Sequence, residues 1–219
     1  MPPTGNRVFI NVPFDDEYAP LLRALLFAIK GCGFFPCCAL DKIGGGETRI
    51  DKICGMIEQT PLSIHDLSRA GIDEKTGYPR FNMPFELGIS MGYRYLDPAK
   101  RDCLIFDKSP HRHHKFISDL AGNNIEAHHN NEKKMIFAVR HFLWQYANSE
   151  PMSGEDLYKD YNKFDKKLSS MCKKANLKKE KLDFLMLSKF IQSWWEPPLS
   201  VPIKPVKQNK CQNNSAAKI

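Results

Sequence analysis

Two acidic residues stand where they could do chemistry. Glu86, in the run Asn82-Met83-Pro84-Phe85-Glu86-Leu87-Gly88, opens an amphipathic stretch, and Asp66, in Ile64-His65-Asp66-Leu67-Ser68, closes a short apolar run. Two carboxylates in one cleft are the minimum set for glycosidic chemistry: one attacks or stabilises an oxocarbenium-like carbon, the other orients sugar hydroxyls or handles a proton. Each also has a plainer reading. A first-turn glutamate complements the helix dipole, and an aspartate at a strand end caps the turn that follows.

The elements that must position them follow from periodicity. Val8–Val12 reads as a buried strand running into Pro13; from Tyr18 the period changes, with Leu21, Leu22, Leu25, Leu26 and Ile29 on one helical face and Gly31 and Gly33 closing it. Strands at 34–40, 62–67, 102–106 and 124–128 alternate with helices from Thr48, at 84–95, at 115–121 and at 132–146. Five such units predict an α/β fold, a flavodoxin-like five-stranded parallel sheet in the order 2-1-3-4-5 with helices on both faces. Ligands of such sheets bind beyond the carboxyl ends of the strands. That rule selects Asn11, Pro13, Phe14 and Asp15 after the first strand, the flexible Gly44-Gly45-Gly46 loop with Arg49 able to face a phosphate, Ser68 after the third strand, and Asn82 beside Glu86.

Composition divides the chain of 219 residues. Residues 1–150 hold 18 basic and 18 acidic side chains, whereas residues 151–219 hold 14 lysines, no arginine and 7 acids, and so carry the whole net charge of +7. The expected organisation is an α/β domain over 1–147, a linker with a lysine-rich C-terminal helical hairpin over 148–196, and a disordered tail over 197–219 rich in Pro, Lys and Asn. Leu182, Leu185, Met186, Phe190 and Trp194 form the stripe expected to dock the hairpin. A lysine-only appendage on a neutral body predicts no specific nucleic-acid partner, because bidentate readout favours Arg.

Seven cysteines, an odd number without a Cys-x-x-Cys pair, fit a reducing, cytoplasmic setting. No stretch reaches the ~18 apolar residues of a membrane span. His111, His113, His114, His128 and His129 have no cysteine or carboxylate at ligand spacing, so no metal is expected, and His128 is placed instead to line the cleft. Gly31-Cys32-Gly33 follows a helix and precedes a strand, the reverse of a dinucleotide loop, and Gly44–Arg49 lacks the Gly-Lys-Ser/Thr of a phosphate loop.

The runs Phe9-Ile10-Asn11-Val12-Pro13-Phe14-Asp15, Ile64–Ser68 and Asn82–Gly88, in this order on this frame, resemble the nucleoside 2-deoxyribosyltransferase-like and TIR-like superfamily. More narrowly they are similar to a bacterial TIR-like group of nucleotide N-glycosidases found in defence settings. The resemblance covers residues 7–146 and implies a hydrolase without a cofactor that cleaves the N-glycosidic bond of NAD or a nucleotide. It implies Glu86 as the catalytic carboxylate, Asp66 holding the sugar, and Pro13 and Phe14 lining the nucleotide pocket. It also admits a non-catalytic alternative, a nucleotide-sensing or self-associating module that pairs with further copies of itself. The loop after the first strand departs from the deoxyribosyltransferase pattern, carrying Asn11 and Asp15-Asp16 in place of a glycine step.

Overall fold

Alternating β-branched and aromatic residues make Arg7–Asn11 an interior strand, β1, with one strand on one side of it and three on the other. The computed structural model describes residues 4–40, 46–73 and 77–196; Gly44, Gly45 and the tail expected to be disordered lie outside the described residues. After β1 come α1 (Ala19–Gly31), β2 (Phe35–Cys37), α2 (Arg49–Gln59), β3 (Leu62–Asp66), α3 (Asn82–Leu96), β4 (Asp102–Asp107), β5 (Ile125–Ala127), α4 (Glu132–Trp144), α5 (Gly154–Lys174) and α6 (Phe184–Trp195). All strand pairs are parallel, in the order β2-β1-β3-β4-β5. This is the expected flavodoxin-like sheet.

Helices α1 and α4 cover one face of the sheet and α2 and α3 the other. Val8, Ile10, Leu62 and Ile64 point to the first face, while Phe9 packs with Ile53, Met56 and Ile57 on the second. A further layer lies on α1 and α4: Leu157, Tyr161, Phe164 and Leu168 of α5 and Phe184, Leu187 and Ile191 of α6 join the same core. Phe27 of α1 is its hub, with ring centroids 5.0 Å from Trp195, 5.2 Å from Phe164 and 5.6 Å from Tyr161. Polar ties fix the layer, Arg23 to Asp165 at 3.1 Å and the Tyr161 hydroxyl to Glu132 at 2.9 Å.

Three local expectations are corrected. Strand β2 is shorter than 34–40 because Pro36 cannot donate to a ladder, which confines it to a brief edge strand. The segment 115–121 forms no α-helix but two 3-10 turns, Arg112–Lys115 and Ser118–Leu120. Arg112 holds the Asp107 carboxylate and the Leu67 carbonyl there, and so short a piece cannot offset helix nucleation. The docking stripe of α6 is also shifted. Asp183 caps the helix by accepting the Met186 N–H at 2.7 Å, which sets the phase so that Phe184, Leu187 and Ile191 face inward while Leu185 and Met186 are exposed. Of the stripe expected, Leu182, Phe190 and Trp194 do pack, partly buried, against the core.

Candidate active site

The side chains at the ligand end sort by strand parity, since neighbours along a strand face opposite sides. In β3, Ser63 pairs with Ser90 of α3 and His65 with Asn11, so odd positions face α3; Ile64 and Asp66 face α1 and α4. Glu86 sits on the first turns of α3. The two carboxylates therefore belong to opposite faces of the sheet and share no direct contact.

Asp66 is fully buried. Its Oδ2 accepts the Tyr18 hydroxyl at 2.6 Å and its Oδ1 the Ser68 N–H at 2.8 Å, and His128 Nε2 lies 3.3 Å from Oδ2. Because His128 Nδ1 accepts the Asn130 N–H at 2.9 Å, the ring proton of the neutral tautomer is on Nε2, facing the carboxylate. Burial alone would raise the Asp66 pKa; the His128 imidazole, the Tyr18 hydroxyl and the Ser68 amide outweigh it and hold the carboxyl below its usual range. The same cluster pushes the Tyr18 hydroxyl well up, burial being the larger cause and Asp66 the next. Asp66 thus joins the ends of β3, α1 and the β5–α4 connection.

Glu86 is nearly as buried but sparsely served. Arg49 at the start of α2, itself largely exposed, reaches to 3.6 Å of Oε1, an ion pair too long to be a hydrogen bond. Burial raises the Glu86 pKa, and Arg49 opposes it without cancelling it. On this face Asn11 makes the joint: its amide nitrogen donates to the Met83 carbonyl at 2.9 Å and to His65 Nδ1 at 3.1 Å, tying β1 and β3 to the turn that presents Glu86.

The remaining expected residues fall apart from these two. Asp15 accepts Arg69 through both oxygens and lies 3.6 Å from Arg80, an ion cluster that closes with Glu17 and Asp73. Pro13 is buried, Phe14 meets Phe184 edge to face at 6.4 Å, and Asn82 is exposed at the first residue of α3. Of the residues expected at one site, the structure joins Glu86 with Arg49, joins Asp66 with Ser68, and ties Asn11 to the turn before Glu86. Comparisons of the chain with protein-family models, with curated proteins and with solved structures find no significant match.

Sequence reasoning missed two of its parts. His65 is fully buried and pushed down to about 3 by burial, so it is neutral; with Nδ1 accepting from Asn11 its proton is on Nε2, which has no hydrogen-bond partner among the described residues. Tyr18 was legible only as a helix start. The parity of β3, with polar Ser63 and His65 on the same face either side of apolar Ile64, is the signal that could have found the first.

Other chemistry is poorly served. Burial pushes the thiols of Cys32 to about 12 and Cys103 to about 11, so neither is a thiolate at neutral pH. Among the described residues no three His, Cys, Asp or Glu side chains gather to hold a metal ion. His114 instead meets His113 edge to face, with ring centroids 4.4 Å apart, and His111 at a tilt, 5.3 Å apart. A cavity of about 1030 Å³ lies elsewhere, along the β4–β5 edge between the distal half of α3 and α4, with Asp102, Glu126 and His141 in its wall. No helix of the described residues is long and apolar enough to cross a membrane.

Proposed function

We propose that the protein is a TIR-like N-glycosidase acting on NAD or a nucleotide, with Glu86 as its catalytic carboxylate. The observation that carries this reading is the state of Glu86: a buried carboxylate at the ligand end of a doubly wound sheet, left with one long ion pair among the described residues where Asp66 accepts two short hydrogen bonds and faces His128. A carboxylate kept in low dielectric without full internal pairing interacts strongly with positive charge brought to it. As the C1′–N bond breaks, the base departs with the bonding electrons and the sugar carbon gains positive charge; Glu86 stabilises that cation until water adds to it, and the proton water gives up passes to solvent when the base leaves neutral, as nicotinamide does from NAD, or to the base when it leaves as an anion.

Arg49 has two roles in this reading. It keeps Glu86 ionised against the cost of burial, and its exposed guanidinium is free to grip a phosphate. Asn11 and His65 fix the turn from which α3 starts, and Asp66 stiffens the opposite lip through Tyr18 and His128.

The internal satisfaction of Asp66 favours a second reading, a sensor that binds a nucleotide without turning it over. One pair of measurements separates the two. Purified protein incubated with NAD and with nucleoside phosphates is expected to release free base, followed by mass spectrometry, and Glu86→Gln is expected to lower turnover by about 10²–10³-fold with ligand binding retained. Wild-type protein that binds a nucleotide but releases no base supports the sensor. Turnover unchanged in Glu86→Gln would remove the enzyme reading. In the enzyme, Arg49→Ala should move the acid limb of kcat/KM to higher pH, because the Glu86 carboxyl loses the charge that lowers its pKa.

A further inference from the structure

Helix α3 breaks the rule that a helix on a sheet turns a polar side to solvent. Its outward arc carries Phe81, Pro84, Phe85, Gly88, Gly92, Tyr95 and Leu96, and its only charged residues, Glu86 and Arg94, lie on the other side. Phe81, just before the helix, is 67% exposed, Phe85 60%, Tyr95 85% and Leu96 80%. Neighbouring α2 behaves ordinarily, showing Asp51, Glu58 and Gln59 to solvent.

At about 200 Å² for a fully exposed aromatic residue, Phe81, Phe85, Tyr95 and Leu96 together expose roughly 600 Å². That stands at the upper end of the largest apolar patch of a typical monomer, about 300–600 Å², and is most of the ~800 Å² each partner buries in a standard interface. A cover of this size is missing among the described residues.

The spacing says what fits. Phe85-x-x-Gly88-x-x-x-Gly92-x-x-Tyr95 reads aromatic, glycine, glycine, aromatic in both directions about position 90. An isologous pair needs this symmetry, since residue i must meet residue j and j must meet i. Nothing among the described residues lies within 4 Å of a Cβ built on Gly88 or Gly92, so the helix has a notch at its centre where a second backbone can approach closely. The geometry points to a homodimer in which α3 packs antiparallel on α3 of a second copy, Gly88 against Gly92, Phe85 edge to face with Tyr95, and Pro84 beside Leu96. Antiparallel packing also sets the two helix dipoles in opposition. This inference stands on the surface of α3 and does not depend on the activity proposed for Glu86.

Sedimentation equilibrium of the full chain from about 1 to 200 μM should show a monomer–dimer equilibrium. Phe85→Lys and Gly92→Arg, both outward on the helix, should each raise the dimer Kd at least tenfold while the circular dichroism spectrum is unchanged; Glu58→Lys on α2 should leave the Kd as it is. Mild oxidation of an equimolar mixture of Gly88→Cys and Gly92→Cys chains should give an 88–92 cross-link, identified by peptide mapping. A monomer at every concentration, a dimer indifferent to both α3 variants, or 88–88 and 92–92 cross-links in place of 88–92 would each overturn the proposal.

Discussion

Helices α1 and α3 are both apolar around most of their circumference, yet nine consecutive residues of α1, Leu21–Ile29, are buried whereas α3 buries only Glu86, Leu87 and Ser90. The difference lies in what covers them. On the α1 side the chain adds α5 and α6 as an outer layer, with Phe27 locked among Tyr161, Phe164 and Trp195. On the α3 side no described element follows. The polar groups divide in the same way: Asp66, toward α1, accepts hydrogen bonds at both oxygens and faces His128, while among the described residues Glu86, on α3, is held by one exposed arginine. The packed rings and the well-paired carboxylate are on the covered face, and the sparsely paired carboxylate and the exposed apolar side chains are on the bare one.

The sharpest way to break this comparison is to truncate one ring on each face. Phe27→Ala removes the hub of the outer layer and should destabilise by about 3–5 kcal/mol. Phe85→Ala removes a mostly exposed ring and should change monomer stability by no more than about 0.5 kcal/mol. Urea midpoints at a concentration below dimer formation measure both. Equal losses would mean that α3 is covered after all.

The carboxylates should differ in size and in pH dependence. Asp66→Ala leaves the Tyr18 hydroxyl and the Ser68 N–H without an acceptor and removes the carboxylate that faces His128, at a cost of about 3 kcal/mol near neutral pH. Because its folded pKa is depressed, the Asp66 contribution is present above the unfolded value and is lost as pH falls through the folded one. The gap between wild type and the variant should therefore narrow in acid. Glu86 has the opposite sign: with its folded pKa raised, its ionisation weighs against folding once pH rises through the carboxylate range. Glu86→Gln should thus be as stable as wild type at pH 7 or slightly more so, with the difference vanishing below about pH 4. A loss of activity accompanied by a gain in stability is the mark of a residue kept for function.

How far the sequence told this in advance also follows the two faces. The five strands, their order and the helices of the sheet were readable from periodicity, because each element buries one face against the same core. What was not readable is tertiary. The amphipathic reading of α1, with only Leu21, Leu22, Leu25, Leu26 and Ile29 inward, understated a helix that also buries Ala24, Phe27 and Ala28, since the cover that buries them is built more than a hundred residues later. Asp66 and Glu86 were expected in one cleft because both stand at the ligand end; that parity sets them on opposite faces was legible from the alternation Ser63, Ile64, His65, Asp66 and was not used. The phase of α6 depended on a single cap at Asp183, which the apolar spacing alone did not reveal.

The smallest expected effects concern glycines, and here the two helices should give opposite signs. Gly31 closes α1 beneath the outer layer, where a Cβ would lie 2.5 Å from Leu157 Cδ1 and 2.9 Å from Trp195 Cζ2. Leu157 can rotate away, but the Trp195 ring is fixed by Phe27, so Gly31→Ala should cost about 1–2 kcal/mol through overpacking. Gly88 stands mid-helix with open space around it, and alanine there spares the entropy of ordering a glycine. Gly88→Ala should therefore stabilise the monomer by about 0.4–1 kcal/mol. The same methyl fills half of the notch through which the second α3 approaches, so the variant should be a better monomer and a poorer dimer. Thermal melts at low protein concentration and sedimentation at high concentration read the two effects separately. If Gly88→Ala is stabilising and also dimerises as tightly as wild type, the glycine is incidental and the α3 surface closes, if at all, through its aromatic rings alone.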